Sequence, residues 1–371
     1  MVVAAGGTAG HVVPALAVAD ELRASGARVS FLGTRERVEA EMVPAAGYEI
    51  DFIKVRGIDR HNPLRAAGAG FEALGAVSAA RRILRARGAD VVMGGGGFVA
   101  GPAGLAAVRS GTPLVLTEAD SHLGLANRLL AKRAQRVCLA FPIAGREGGR
   151  YLLTGRPVPA AVLAADRGAA RERFGIPAEA RCLFVVGGSQ GARTINFAAV
   201  EAFAERDGRD FHVIHLSGKR DYEELRERLD AAPWHEDYTL IGFEPGGLGE
   251  VLAASDLVLG RSGGSIFEVA AAGRPAILVP YPHATADHQS ANAAWMERAG
   301  AATVIADEEL DAERLADAVG ALLGDPGRLA EMAAASRGLA RPDAAQRIAD
   351  EVLAAAGSQV SSLTLDESDR L

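Results

Sequence analysis

The stretch VVGGSQGARTIN, residues 185–196, constrains this chain more than any other. An apolar run meets Gly187 and Gly188, then Ser189, Gln190 and Gly191, and a helix-compatible run follows. Residues 4–16, AAGGTAGHVVPAL, do nearly the same with Gly6, Gly7, Thr8 and Gly10, 181 positions earlier (187 − 6) in a chain of 371. An apolar strand that ends in glycines and opens a helix is the turn of a doubly wound α/β domain. Its repetition near half the chain length predicts two such domains.

The rest of the chain fits that plan. MVVAA, ARVSFLGT, ADVVMGG and TPLVLTEAD read as strands in the first half, with helical PALAVADELRASG and GPAGLAAVRSG between them. RCLFVVGG, FHVIHLSG, YTLIGF, DLVLGRSGG and PAILVPYP read as strands in the second half. Short Val- and Leu-rich strands alternating with helices call for parallel sheets covered on both faces. LLTGRPVPAAV, with Gly155, Pro157 and Pro159, reads as a linker. The expected domains are 1–155 and 160–340, with a helix over 341–356 packing back on the first domain. Residues 357–371 are polar and aperiodic, and read as a disordered tail.

Composition excludes several functions. A net charge of −7 argues against a dedicated nucleic-acid binder. Cys138 and Cys182 sit in apolar runs and read as buried free thiols of a cytoplasmic protein. The apolar start lacks a basic leader region, and no apolar run reaches the roughly 18 residues of a membrane span. A P-loop signature is absent, and the second strand ends without the acid that a dinucleotide fold needs. No D-x-D motif or His/Cys cluster offers a metal handle, so no cofactor is expected.

Glycine turns at helix starts suit anions, because the first amides of a helix lack internal partners and carry partial positive charge. Glycines can also serve only to bring a helix close to a strand. Two equivalent turns, with further ones at 94–97 and 260–264, favour a ligand in a cleft at the carboxyl ends of the strands. Ser262, Gly263, Gly264 and Ser265 open a helix carrying Glu268 one turn in. A carboxylate there can take ribose hydroxyls while the helix start takes a diphosphate, which describes a nucleotide-diphosphate ligand.

The ordered motifs GGTAGHVVPALAVADEL, GGGGFVAGPAGLAAVRSGTPLVLTEAD, VVGGSQGAR, RSGGSIFEVAAAGRPAILVP and DHQSANA together resemble the MurG family of UDP-N-acetylglucosamine transferases. The resemblance spans most of the chain. It implies the GT-B fold, two doubly wound Rossmann-like domains with parallel sheets facing a central cleft. It also implies inverting transfer of GlcNAc from UDP-GlcNAc to the C4 hydroxyl of MurNAc in lipid I, giving lipid II. The acceptor would bind the first domain and the nucleotide sugar the second.

By the same resemblance His11 is the candidate base or a holder of the acceptor diphosphate, with Gly7, Thr8, Gly10, Gly95, Gly96 and Gly97 around that diphosphate. Ser189, Gln190, Gly191 and residues 262–265 would line the donor diphosphate, with Thr8, Gly10 and Arg261 contributing. Glu268 would hold the ribose, Gln289 and His288 the sugar hydroxyls, and Phe243 would cover the uracil; Asp287 reads as a helix cap. The chain departs from the family in three places. TEAD stands for H-E-Q-N, which keeps Glu118 and makes it and Asp120 rivals of His11 for the base, Asp120 also being a candidate for the donor sugar. GRPVP stands for G-N-P-V-R, so Arg156 would replace the missing arginine, and RSGGSIFE is one residue short.

Residues 54–88 carry eight Lys or Arg and two acids, with Leu64, Phe71, Leu74 and Val77 interleaved at helical spacing. This segment reads either as a peripheral contact with the anionic inner face of the cell membrane or as an amphipathic core helix with a solvated basic face. Two further functional readings stand beside the transferase: another nucleotide-sugar enzyme of this architecture, such as a UDP-GlcNAc 2-epimerase or small-molecule glycosyltransferase, and a non-catalytic nucleotide-sugar binder.

Overall fold

The computed structural model describes residues 1–55, 63–187, 192–205, 210–233, 237–284 and 287–368, with backbone only over 63–74 and 358–368. The chain divides into two compact units, residues 1–158 with 341–371, and residues 159–340.

The first unit holds strands β1 (Val2–Ala5), β2 (Ser30–Gly33), β3 (Glu49–Phe52), β4 (Val92–Gly96), β5 (Leu114–Glu118), β6 (Arg136–Leu139) and β7 (Tyr151–Leu153). They form one seven-stranded sheet in the order β3-β2-β1-β4-β5-β6-β7, and every pairing is parallel. The strands are short and apolar because both faces are covered. Val2, Ala4, Leu32, Val92 and Leu116 pack under helices α3 (Pro63–Ala86) and α4 (Gly97–Ser110). Val3, Ala5, Phe31 and Met93 pack on the other side with α1 (Ala9–Ala24) and α15 (Ala344–Ser368). From α15, the side chains of Ala345, Ile348, Ala349, Val352, Ala355 and Ala356 enter this core.

The second unit holds β8 (Arg181–Val186), β9 (Phe211–Leu216), β10 (Tyr238–Ile241), β11 (Leu257–Gly260), β12 (Ala276–Leu278) and β13 (Ala302–Val304). The order β10-β9-β8-β11-β12-β13 is again parallel throughout. In both sheets the strand order reverses beside the first strand, between β1 and β4 and between β8 and β11. Chain connections leave on opposite sides there, which opens a crevice at the carboxyl ends.

Three helices bear on the sequence expectations. Helix α1 begins at Ala9 and carries Pro14 inside it, whereas the sequence suggested a helix starting at the proline. The tail continues α15 as helix to Ser368, because 344–368 contains no proline to stop it. Val77 is 4% exposed and lies in the core with Ala76, Ala80 and Leu84, which agrees at this residue with the core-helix alternative for 54–88; Leu64, Phe71 and Leu74 fall where no side chain is described.

A buried polar network braces the second sheet. Asn196, on α8 (Arg193–Phe203), donates its amide to the Ser217 carbonyl at 3.0 Å and to Asp221 at 2.9 Å. Its oxygen is therefore the acceptor for His215 Nε2–H at 3.0 Å, which leaves Nδ1 to accept from Tyr238 O–H at 2.8 Å. A neutral imidazole satisfies both contacts, and burial pushes the His215 pKa down to about 3. Because the unfolded chain takes up this proton near pH 6.5 and the folded one does not, stability is full above 6.5 and is lost as pH falls toward 3. Denaturant titrations of the wild type are expected to lose up to about 1.4 kcal/mol per pH unit from this group, a slope that disappears in His215→Gln.

Candidate functional site

At the crevice of the first unit, two glycine turns interlock. Gly97 has φ of 74°, and a Cβ on it would lie 2.0 Å from the Gly6 carbonyl oxygen. A Cβ on Gly96 (φ 102°) would meet the His11 ring at 2.5 Å, and one on Gly95 would press on Ala5. Residues 95–97, expected around the acceptor diphosphate, are thus glycines first for close packing. Beneath the turn lies Glu39, fully buried, from α2 (Glu39–Ala45). It accepts from Gly7 N–H at 2.9 Å, Thr34 N–H at 3.0 Å and Thr34 O–H at 2.7 Å. The amide of Gly7, a candidate for the acceptor diphosphate, therefore faces a carboxylate.

Thr8 stands at the N-cap position of α1, with its hydroxyl 3.3 Å from His11 Nδ1. The His11 pKa is lowered, first by burial and then by the charge of Arg156, while Asp120 and Glu39 pull the other way. A lowered value keeps the imidazole neutral at pH 7, as a proton acceptor must be. Pro14 explains why Arg156 is here. Proline has no N–H for the carbonyl four residues back, so Gly10 loses its helical donor, and Arg156 Nη2 donates to that oxygen instead. Arg156, expected to replace the missing arginine of the donor site, belongs to the first unit and holds α1.

Glu118, a candidate for the base, is engaged by donors of the loop that follows it. Its oxygens accept from Asp120 N–H at 3.2 Å, Gly124 N–H at 2.8 Å and the Asn127 amide at 2.9 Å. Burial raises its pKa while these three bonds oppose the rise. The arrangement fastens the loop after β5, and that loop presents Asp120, half-buried and close enough to act on His11.

In the second unit, Ser189, Gln190 and Gly191 lie outside the described residues. Arg261 and Ser262, both candidates for the donor, have partners within the unit. Arg261 pairs with Asp307 at 2.5 Å and donates to the Val279 carbonyl at 3.1 Å. Ser262 is fully buried, its hydroxyl bonded to the Gln289 carbonyl at 2.8 Å and its carbonyl to the Asn292 amide at 2.9 Å. Gly263, Gly264 and Ser265 are half-buried at the start of α11 (Ile266–Ala271), with Glu268 in its first turn. Gln289 accepts from Tyr281 N–H at 3.0 Å, and its amide nitrogen faces Gly263. His288 opens α12 (His288–Arg298). Asp287 takes the N-cap position with φ of 54°, the one non-glycine with positive φ among the described residues. Its carboxylate accepts from Ser290 O–H at 2.6 Å rather than from the backbone. Phe243 is 61% exposed, so it is not core, and Lys219 Nζ lies 4.9 Å from its ring centroid.

Glu39 and Asn127 escaped the sequence reading. Both act on backbone groups brought near only by the fold: Glu39 on Gly7 32 residues away, and Asn127 on the Thr117 carbonyl at the end of β5. Among the described residues, no group of three or more His, Cys, Asp or Glu side chains could hold a metal ion. No helix there is long and apolar enough to cross a membrane.

Comparison with known proteins covers nearly the whole chain. The glycosyltransferase family 28 N-terminal domain matches residues 1–139, and the family 28 C-terminal domain matches 182–348. A UDP-N-acetylglucosamine–N-acetylmuramyl-(pentapeptide) pyrophosphoryl-undecaprenol N-acetylglucosamine transferase of Halorhodospira halophila is 41% identical, covering 94% of this chain and 96% of its own. The crystal structure of Acinetobacter baumannii MurG matches with a TM-score of 0.73 and 30% identity, over 95% of this chain and 98% of that one. A UDP-GlcNAc 2-epimerase from Neisseria meningitidis, at 14% identity and a TM-score of 0.66 over 95% and 99% of the two chains, shares the fold.

The role given to Glu118 separates structure from chemistry. Glu118→Gln replaces one acceptor oxygen by a donor facing the bonded N–H groups, and is expected to lower the unfolding free energy by about 1–3 kcal/mol. Urea denaturation measures this.

Proposed function

The chain belongs to glycosyltransferase family 28, and from that premise we infer that it moves GlcNAc from UDP-GlcNAc to the C4 hydroxyl of MurNAc in lipid I, releasing UDP and lipid II. The carrying observation is near-full-length similarity to transferases bearing that name, at about 40% identity, together with a neutral, half-buried imidazole at the crevice of the first unit.

Inversion at the anomeric carbon is one displacement. The acceptor oxygen attacks as its proton leaves, and the bond to the UDP oxygen breaks. We assign the proton to His11. Asp120, whose charge acts on His11, would stabilise the imidazolium that forms. The leaving diphosphate would be met by the helix start at Gly264 and Ser265, and by the motif residues Ser189, Gln190 and Gly191, since amide dipoles fixed in advance stabilise a charge as it develops. Glu268 would hold the ribose, Gln289 and His288 the sugar, and Phe243 one face of the base. No resident cofactor is part of this proposal.

The acceptor is lipid-linked, so we also propose that the protein works peripherally on the anionic inner face of the cell membrane, through the basic segment 54–88. Arg81, Arg82 and Arg85 on the last turns of α3 are exposed, and they suit anionic headgroups at roughly 1 kcal/mol each.

Incubation with UDP-GlcNAc and a short-chain lipid I analogue is expected to release UDP and form the disaccharide product, followed by mass spectrometry. Conversion of UDP-GlcNAc without acceptor would instead indicate an epimerase, and binding without UDP release a non-catalytic binder. His11→Ala is expected to lower kcat by about 10²–10⁴-fold. In the wild type, the acid limb of kcat/KM falls below the ordinary histidine value near 6.5, because the His11 pKa is lowered. In vesicle sedimentation the wild type is expected to pellet with anionic but not neutral lipid, and the triple change of Arg81, Arg82 and Arg85 to Glu to remain in the supernatant.

A further inference from the structure

Arg156 is an unusual group to find at the start of a helix. It is 9% exposed, and it stands where α1 already presents the positive end of its dipole. A cation there is electrostatically disfavoured unless something holds it. The holder is the Gly10 carbonyl, which Pro14 leaves without its helical N–H. Gly10 has no side chain, and a Cβ on it would already lie 3.5 Å from Arg156 Nη2 and from Thr8 Oγ1. Proline, glycine and arginine thus form one clamp immediately before His11.

We propose that Arg156, clamped to the carbonyl that Pro14 leaves open, is a positioning residue for His11. The clamp fixes the first turn of α1 and sets a permanent positive charge beside the imidazole. That charge disfavours a second one on the ring, so His11 stays an available proton acceptor at cytoplasmic pH. Three charged groups act on the ring, each from a different part of the fold: Arg156 from the segment after β7, Asp120 from the loop after β5, and Glu39 from α2. The two carboxylates favour protonation and the guanidinium opposes it. Arg156 is the one member of the three whose removal makes His11 easier to protonate.

This inference rests on the transferase reading only for its consequence in catalysis. Its first test therefore needs no substrate. The C2–H resonance of His11, assigned by its loss in His11→Ala, is followed from pH 4.5 to 8.5. In the wild type the midpoint is expected below 6.5. Arg156→Gln, which removes the charge, is expected to move it up by about 0.5–1 unit. Arg156→Lys, which keeps the charge, is expected to hold it within about 0.3 unit of wild type.

A kinetic arm follows: the acid limb of kcat/KM is expected to shift with the resonance in Arg156→Gln, while Arg156→Lys restores it. Pro14→Ala, which returns an N–H to Gly10 and competes with the clamp, is expected to move the midpoint in the same direction as Arg156→Gln. An unchanged His11 midpoint in Arg156→Gln overturns the proposal, as does a Lys variant displaced as far as the Gln variant. Absence of glycosyl transfer in the wild type would defeat the functional reading while leaving the resonance to decide this one.

Discussion

Gly97 has room for a hydrogen and nothing larger where it faces Gly6. That contact lets the turn after β1 and the turn after β4 close on each other, and the first site follows from it. Gly96 comes under the His11 ring, and the amide of Gly7 turns inward to Glu39. Most residues at position 97 would have to adopt a positive φ and also push back the Gly6 carbonyl. Either alone costs about 1–3 kcal/mol, and together they would part the two turns. The crevice exists because the strand order reverses here; its shape exists because two backbones approach without side chains between them.

The two halves use similar turns for different electrostatic ends. In the first unit a buried carboxylate lies under the turn, held by three neutral donors. Such a group opposes an anion directly above Gly7, so an anion at this end must be met farther along, by the first free amides of α1. In the second unit the residues below the turn after β11 are Ser262, Asn292 and Arg261, whose polar groups hold neighbouring backbone carbonyls or the Asp307 carboxylate. No buried carboxylate sits under Gly263 and Gly264 among the described residues, so nothing there opposes the anion that the proposed function would place at this end.

What the sequence disclosed depended on how local the cause was. Strands such as 181–186 and 257–260 are legible because burial on both faces demands unbroken Val and Leu, a property of each strand alone. The start of α1 was misplaced because Pro14 looks like a first residue, and only the missing Gly10 bond and its replacement by Arg156 reveal that the helix runs through it. Arg261 and Ser262 had suitable chemistry for a phosphate, yet their partners, Asp307 and the Gln289 carbonyl, lie 46 (307 − 261) and 27 residues away. Nothing near them in sequence announces that they are already engaged. The tail at 357–368 is polar enough to suggest disorder, but helical propagation needs only the absence of a breaker once α15 is anchored by its apolar face.

The competition for the proton at the first site can be argued from residue chemistry. Glu118 accepts three hydrogen bonds and Glu39 another three, which stabilise each carboxylate where it stands and make it a weaker base than it would be without them. That leaves His11 and Asp120. An aspartate side chain is a weaker base than imidazole by roughly 2–3 pK units in water, and a sugar hydroxyl is a poor acid, so the stronger base gains more from partial transfer in the transition state. A carboxylate beside the imidazole is of most use when the ring becomes positive, which happens only as the acceptor loses its proton. In the proposed mechanism Asp120 would contribute after the ring has charged, and Arg156 before, by keeping the ring uncharged until it is needed. Opposite charges at one imidazole therefore do not cancel: each acts on a different stage of the same proton transfer.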